Sequence, residues 1–181
     1  MQSDSKIYVA GHKGLLGSAI VRKLTALGYN NLLLRTKVEL DLLNQERTFK
    51  FLKEEAPEYV FVAAARVGGI KANIDNPGVF LYENIQIQNN LIEGARLADV
   101  KKLLFVGSSC SYPKGLERPI NEADLLRGEL EPSNEGYALA KIVGIKLCQF
   151  YRKQHGVDFI SAQPTNLYGP NDHFDLHNSH V

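Results

Sequence analysis

An α/β architecture built on a parallel, doubly wound sheet is the fold class this sequence predicts. Short apolar runs recur along the chain and alternate with helix-period segments. The first run feeds directly into a glycine-rich turn that opens a helix. A later helix carries a tyrosine and a lysine four residues apart, on one face. At 181 residues, 44% of them apolar, the chain can bury one good core, so a single domain over 1–181 is expected.

Composition removes several classes of function. The net charge is +1 with both signs interspersed, which argues against a nucleic-acid stripe or a polybasic membrane surface. No apolar run approaches the ~20 residues of a membrane span, and the N-terminus lacks the apolar region of a signal peptide. The two cysteines, Cys110 and Cys148, have no metal-ligand spacing. A reduced cytoplasmic compartment is the expectation. His173, His177 and His180 cluster in the tail, but no cysteine or acidic pattern completes a site, so no metal is expected.

The elements follow in order. Lys6 to Ala10 is an apolar run that reads as a buried strand. It runs into Gly11-His-Lys-Gly14-Leu-Leu-Gly17, and a helix pattern then extends to about Leu27, with Leu16, Ile20, Leu24 and Leu27 on one side and Gly28 as its cap. Gly11 permits the tight turn, Gly14 lets the backbone approach a pyrophosphate, and Gly17 lets the helix pack close to the strand. The helix N-terminus then offers free N–H groups and its dipole to the anion. Asn31 to Leu34 reads as the second strand and ends in Arg35-Thr36-Lys37. A basic cluster of Lys13, Arg35 and Lys37 suits a 2′-phosphate, so NADPH/NADP+ is favoured over NAD; the same residues also read as solvated surface charges. Asp41 and Leu42 could face the adenine edge.

Gln45 to Glu55 is an amphipathic helix with Phe49 and Leu52 inward, broken by Pro57. Tyr59 to Ala63 is the third strand, and the small residues after it, including Ala64, leave room for a ligand in the crevice at its carboxyl end. A helix is expected from about Val79 to Ala98, with its many Asn and Gln residues on a polar outer face by default and a partner helix as the alternative. Lys102 to Val106 is a strand ending in Gly107-Ser-Ser-Cys-Ser-Tyr-Pro113. Lys114 to Glu135 reads as a long loop, functional or mobile, with a short helix near Glu122 to Leu126. A helix from Tyr137 to Gln154 and a strand from Asp158 to Ala162 complete the series.

Tyr137 and Lys141 point the same way on their helix. A free phenol, with a pKa near ~10, transfers protons poorly at neutral pH; a nearby ammonium favours phenolate and lowers that value. The pair can deliver a proton to a developing alkoxide or remove one from an alcohol. On spacing alone, Ser108 is a turn residue or a crevice hydroxyl, and Cys110 a small packed residue or a reactive thiol.

Gly11-x-x-Gly14-x-x-Gly17, Ser108 and Tyr137-x-x-x-Lys141 stand in that order, and together they are far more specific than any one of them. On these motifs the chain resembles the extended short-chain dehydrogenase/reductase family of nucleotide-sugar enzymes, whose fold is a Rossmann-type doubly wound parallel sheet. The runs Ala63 to Gly69, Ser108 to Pro113, Tyr137 to Cys148, Pro164 to Pro170 and Asn178 to Val181 are similar to one branch of it. That branch epimerises C3 and C5 and reduces C4 of GDP-4-keto-6-deoxy-D-mannose with NADPH.

The resemblance implies roles for residues. Cys110 and His180 would exchange protons at C3 and C5. Tyr137 would donate a proton at the C4 oxygen, Ser108 would hydrogen-bond that oxygen, and Lys141 would lower the tyrosine pKa and bind the nicotinamide ribose. Leu15, Pro164 and Leu167 join the cofactor set, and Ser109 and Asn166 the substrate set. A homodimer through the helices near 79–98 and 137–154 is implied, as is a substrate lobe beyond 181. Lys13 and Lys37 stand where relatives often carry arginines, and Ser111 where an aliphatic residue is common. A 4-epimerase, a dideoxy-sugar epimerase/reductase of the same fold, and a non-catalytic nucleotide-binding module are the alternatives.

Overall fold

A computed structural model of the chain describes residues 1–172. Five parallel strands form one sheet in the order β2-β1-β3-β4-β5. They are β1 (Ile7–Ala10), β2 (Leu32–Leu33), β3 (Tyr59–Val62), β4 (Lys102–Val106) and β5 (Asp158–Ala162). The helices are α1 (Leu15–Ala26), α2 (Gln45–Glu55), α3 (Ile70–Asp75), α4 (Pro77–Leu97) and α5 (Glu135–His155). The chain first steps from β1 outward to β2, then returns past β1 to β3. Right-handed crossovers therefore place α1 on one face and α2, α4 and α5 on the other. The direction changes between β1 and β3, which opens a crevice at their carboxyl ends.

β1 is buried along its whole length, as a parallel strand covered on both faces must be. Its side chains alternate. Ile7 and Val9 join Leu24 beneath α1, while Tyr8 and Ala10 join the larger core on the other face. That core sets Leu52 of α2, Leu91 and Ile92 of α4 and Ile145 of α5 against Val60, Leu103, Phe105 and Phe159 of the sheet. Each such burial contributes about 1.5–3 kcal/mol, so the α2–α4–α5 layer dominates stability.

Several expectations are corrected. β2 is only the pair Leu32–Leu33, and Leu27 is 59% exposed, past the end of α1. The helix expected from Val79 starts at Pro77, and a separate six-residue helix, α3, precedes it. The amides of α4 are not an outer polar face: Asn84, Gln88 and Asn90 are buried. Helix α4 lies between α2 and α5 on the sheet, so almost every side of it is covered, and buried amides must be paired. Gln88 Nε2 donates to the Ala140 carbonyl of α5 at 2.6 Å. Asn90 Nδ2 donates to the Leu42 carbonyl at 2.8 Å. Asn84 Oδ1 accepts from the Arg66 N–H at 2.8 Å, and its Nδ2 donates to the Arg66 carbonyl at 3.0 Å. These bonds fix the loops after β2 and β3 against the helix layer, beside the crevice.

The long segment 114–134 is pinned rather than loose. Arg118 makes paired bonds to the Asp124 carboxylate, one of them 2.8 Å, and Asn121 and Asp124 form a reciprocal capping box. The Arg118 guanidinium and the Asn121 N–H hold the Asp124 carboxyl down at about 2.

Candidate active site

The glycine turn is built as its spacing requires. Gly11 has φ +84°, and a Cβ there would lie 2.6 Å from the Ala64 nitrogen. A Cβ on Gly17 would overlap the Gly11 carbonyl, so the start of α1 can sit tight against the end of β1 only with glycine at both places. Gly14 is different. A Cβ there would meet nothing closer than the Gly11 oxygen at 3.5 Å, an ordinary contact. The protein itself does not require glycine at Gly14, so the space in front of it suits close approach by a ligand. Gly14 caps α1 with no side-chain bond, and the first turn holds no acidic residue. The positive end of the helix is thus left open to an anion. Leu15 begins the helix and Ala64 closes the crevice at the end of β3.

The cations at the end of β2 divide. Arg35 is engaged: its Nη2 bonds Glu55 at 2.8 Å, and its guanidinium lies 5.3 Å from the Phe51 ring centroid. Lys13 and Lys37 are exposed and make no ion pair among the described residues, which leaves them the better placed for a 2′-phosphate. Glu39 sits among these charges, its carboxylate accepting from the Thr36 N–H and hydroxyl at 2.7 Å each. Those bonds, with Arg35 and Lys13 nearby, hold its carboxyl below the ordinary range. Asp41 turns its carboxylate to the Leu43 N–H at 3.1 Å, and Leu42 packs on the core.

The chemistry-bearing residues meet at the carboxyl end of β4. Ser108 caps a 3₁₀ turn, Ser109–Ser111, and its Oγ accepts from the Cys110 N–H at 3.2 Å. The Ser109 N–H donates to the Pro164 carbonyl at 3.1 Å, tying this turn to the segment after β5. The Ser111 hydroxyl is fully buried with no partner. The N-terminal turns of α5 bring Tyr137 and Lys141 to the same place. The Ser108 hydroxyl and Cys110 both lie close enough to the Tyr137 phenol to act on its titration.

The electrostatics correct one expectation. Tyr137 is pushed up to about 12, first by burial and then by the charge of Cys110, with Ser108 pulling the other way. Lys141 does not bring it down. That side chain is 3% exposed, and its Nζ donates to the Val106 carbonyl at 2.8 Å, 5.6 Å from the Tyr137 ring centroid. Burial lowers Lys141 to about 8, and the Phe105 face at 5.0 Å offers the ammonium some compensation. The phenol is therefore held in its acid form, the form a proton donor needs.

Sequence reasoning missed Asn134, whose Nδ2 donates to the Cys110 sulfur at 3.2 Å. Its only signal was a cap-type residue just before the helix. Asn166 and Leu167 are exposed beyond β5. The expectations for His180, and for His173 and His177, fall outside the described residues.

Comparison with known proteins shows the family. The family described as the NAD dependent epimerase/dehydratase family matches residues 7–181. The chain is 59% identical over 178 residues to GDP-L-fucose synthase 1 of Arabidopsis thaliana, covering 98% of this chain and 55% of that protein. It is 56% identical over 176 residues to a GDP-L-fucose synthase of Sinorhizobium fredii, covering 97% of this chain and 56% of that one. A crystal structure from Campylobacter jejuni, a GDP-D-glycero-L-gluco-heptose synthase in the presence of NADPH, superposes with a TM-score of 0.96. It is 46% identical, with 100% of this chain and 53% of that one covered. The chain thus spans about half the length of the curated relatives it matches.

Proposed function

The chain belongs to the NAD dependent epimerase/dehydratase family, and from that premise we propose that it serves the NADPH-dependent conversion of GDP-4-keto-6-deoxy-D-mannose to GDP-L-fucose. The reaction epimerises C3 and C5 and reduces C4. The observation that carries this reading is the meeting of Ser108, Cys110, Tyr137 and Lys141 at the end of β4, in a chain 59% identical to a named GDP-L-fucose synthase.

A 4-keto group makes the hydrogens on C3 and C5 acidic, because the carbanion delocalises into the ketone. Ser108 and Tyr137 hydrogen-bond the C4 oxygen and stabilise its developing negative charge. Cys110, together with His180, takes and returns the protons at C3 and C5. Tyr137 then protonates the C4 oxygen. NADPH, when bound, supplies the hydride to C4. The residues present fit that cofactor: the glycine turn and the open N-terminus of α1 suit its pyrophosphate, Lys13 and Lys37 a 2′-phosphate, and Lys141 the nicotinamide ribose. The length that the relatives carry beyond this chain supplies further contacts to the sugar nucleotide.

Cofactor preference tests the binding half. The protein should bind NADPH more tightly than NADH. A Lys13→Ala, Lys37→Ala double variant should lose most of that preference, since each lysine meets the phosphate as a point charge. Titration of both cofactors measures it, and an unchanged preference in the double variant removes the phosphate assignment.

The product tests the sugar. The Campylobacter relative is named for a heptose, so a different GDP-sugar acted on by the same residues is the second reading. Product analysis with purified full-length protein separates the two: a 6-deoxy galacto-configured product supports the first, and turnover of another GDP-sugar only supports the second.

The protein is also proposed to be a cytoplasmic homodimer. Among the described residues no helix is long and apolar enough to cross a membrane. On α4 and α5, Tyr82 is 65% exposed and Phe150 61%, with Leu139 and Val143 also exposed, a face suited to a second copy. Light scattering should give the dimer mass; a monomer at micromolar concentration would sink the interface, and recovery in a membrane fraction the localisation.

A further inference from the structure

Asn134 forgoes what its position offers. An asparagine at a helix N-cap ordinarily accepts a hydrogen bond from a backbone N–H of the first turn. Asn134 caps α5 yet makes no side-chain cap bond. Its Nδ2 instead donates to the Cys110 sulfur at 3.2 Å, and its Oδ1 is buried with no hydrogen-bond partner among the described residues. The carboxamide is therefore oriented on the sulfur at the expense of both alternatives. An N–H donor favours the thiolate over the thiol, because a hydrogen bond to an ionised acceptor is roughly twice as strong as one to a neutral group. The thiolate is also the form able to take a proton from carbon.

We propose that Asn134 is a positioning residue for Cys110, holding the sulfur in place through its amide donor. The catalytic use of that sulfur rests on the function proposed above; the coupling between the two residues does not. Asn134 works alongside the positive end of α5, whose first turns face the same sulfur, and against Tyr137, whose phenol lies beside it.

The test uses full-length Asn134→Ser and Asn134→Asp proteins. Both substitutes are good N-caps, so α5 retains or gains a cap bond and the melting temperature should hold or rise. Neither offers the amide donor, and aspartate keeps the shape of asparagine. Alkylation of Cys110 by iodoacetamide at pH 7, followed by peptide mapping, is the first readout. Loss of this donor to the sulfur should slow alkylation about threefold. Solvent exchange at C3 and C5 should fall about tenfold in kcat with KM unchanged, as the charge-assisted bond is lost. Alkylation as fast as in the parent, or faster, in both variants overturns the proposal, and a lower melting temperature with it makes Asn134 merely structural. Slower alkylation in a protein whose parent catalyses no exchange leaves the coupling standing and removes the function of Cys110.

Discussion

Replacing Tyr137 with phenylalanine is expected to abolish reduction at C4 while leaving a weaker exchange at C3 and C5. In the proposed reaction the phenol serves two steps. It would stabilise the C4 oxyanion during exchange, together with Ser108, and would give that oxygen a proton during reduction. Burial and the Cys110 charge hold it in the acid form, at about 12. Loss of one oxyanion donor lowers exchange about 10²–10³-fold. Reduction loses the donor and the acid together, and an acid alone contributes about 10²–10⁴-fold. The ring, its burial and the Lys141 contact at 5.6 Å survive the substitution, so a fold effect should be small. The assay is NADPH oxidation beside solvent exchange. Reduction within tenfold of the parent would show that another group is the acid.

How much of this could be read in the chain differs by element. β1 is a continuous apolar run and β4 nearly one, because central parallel strands are covered on both faces, so composition alone marked them. Helix α2 declares its ends through Asn44, whose side chain accepts from the Arg47 N–H at 2.9 Å, and through Pro57. The glycine spacing located the turn. Helix α4 was harder. Amides at helical spacing read as a polar face unless one knows that neighbours enclose the helix, and only Ala140, Leu42 and Arg66 reveal where those amides bond. Helix α3 is six residues long and is held by Asn73, which donates to the Gly68 and Gly69 carbonyls, so it has no amphipathic period to see.

The site divides in the same way. Motif spacing brought Ser108, Tyr137 and Lys141 together before any coordinates. It gave the wrong sign for the phenol, because burial is tertiary and the hydrogen bond of the lysine goes to the Val106 carbonyl. Arg35 looked like a phosphate ligand until Glu55 and Phe51 were seen to occupy it. Asn134 could not be told from an ordinary cap, since its distinguishing contact crosses to Cys110, 24 residues away.

The account stands or falls on the division of labour between Cys110 and Tyr137. Cys110 sits half-buried on the turn capped by Ser108, its sulfur bonded by Asn134 and facing the phenol. In Cys110→Ser the hydroxyl keeps roughly the size and the turn, but its far higher pKa makes it a poor base toward carbon. A positioned general base is worth about 10²–10⁴-fold, so exchange at the carbon it serves should fall by that factor. Tyr137, Ser108 and Lys141 are untouched, so any hydride delivered should reach un-epimerised sugar. The direct measurement is NMR of the sugar ring in deuterated buffer, with and without NADPH, using full-length Cys110→Ser protein. The expected result is C3 and C5 protons that persist without cofactor, and reduction of the unchanged 4-keto sugar when NADPH is added. Deuterium entering both carbons at the parental rate would show Cys110 to be only a packed strand-end residue, and the epimerase half of the function would fail.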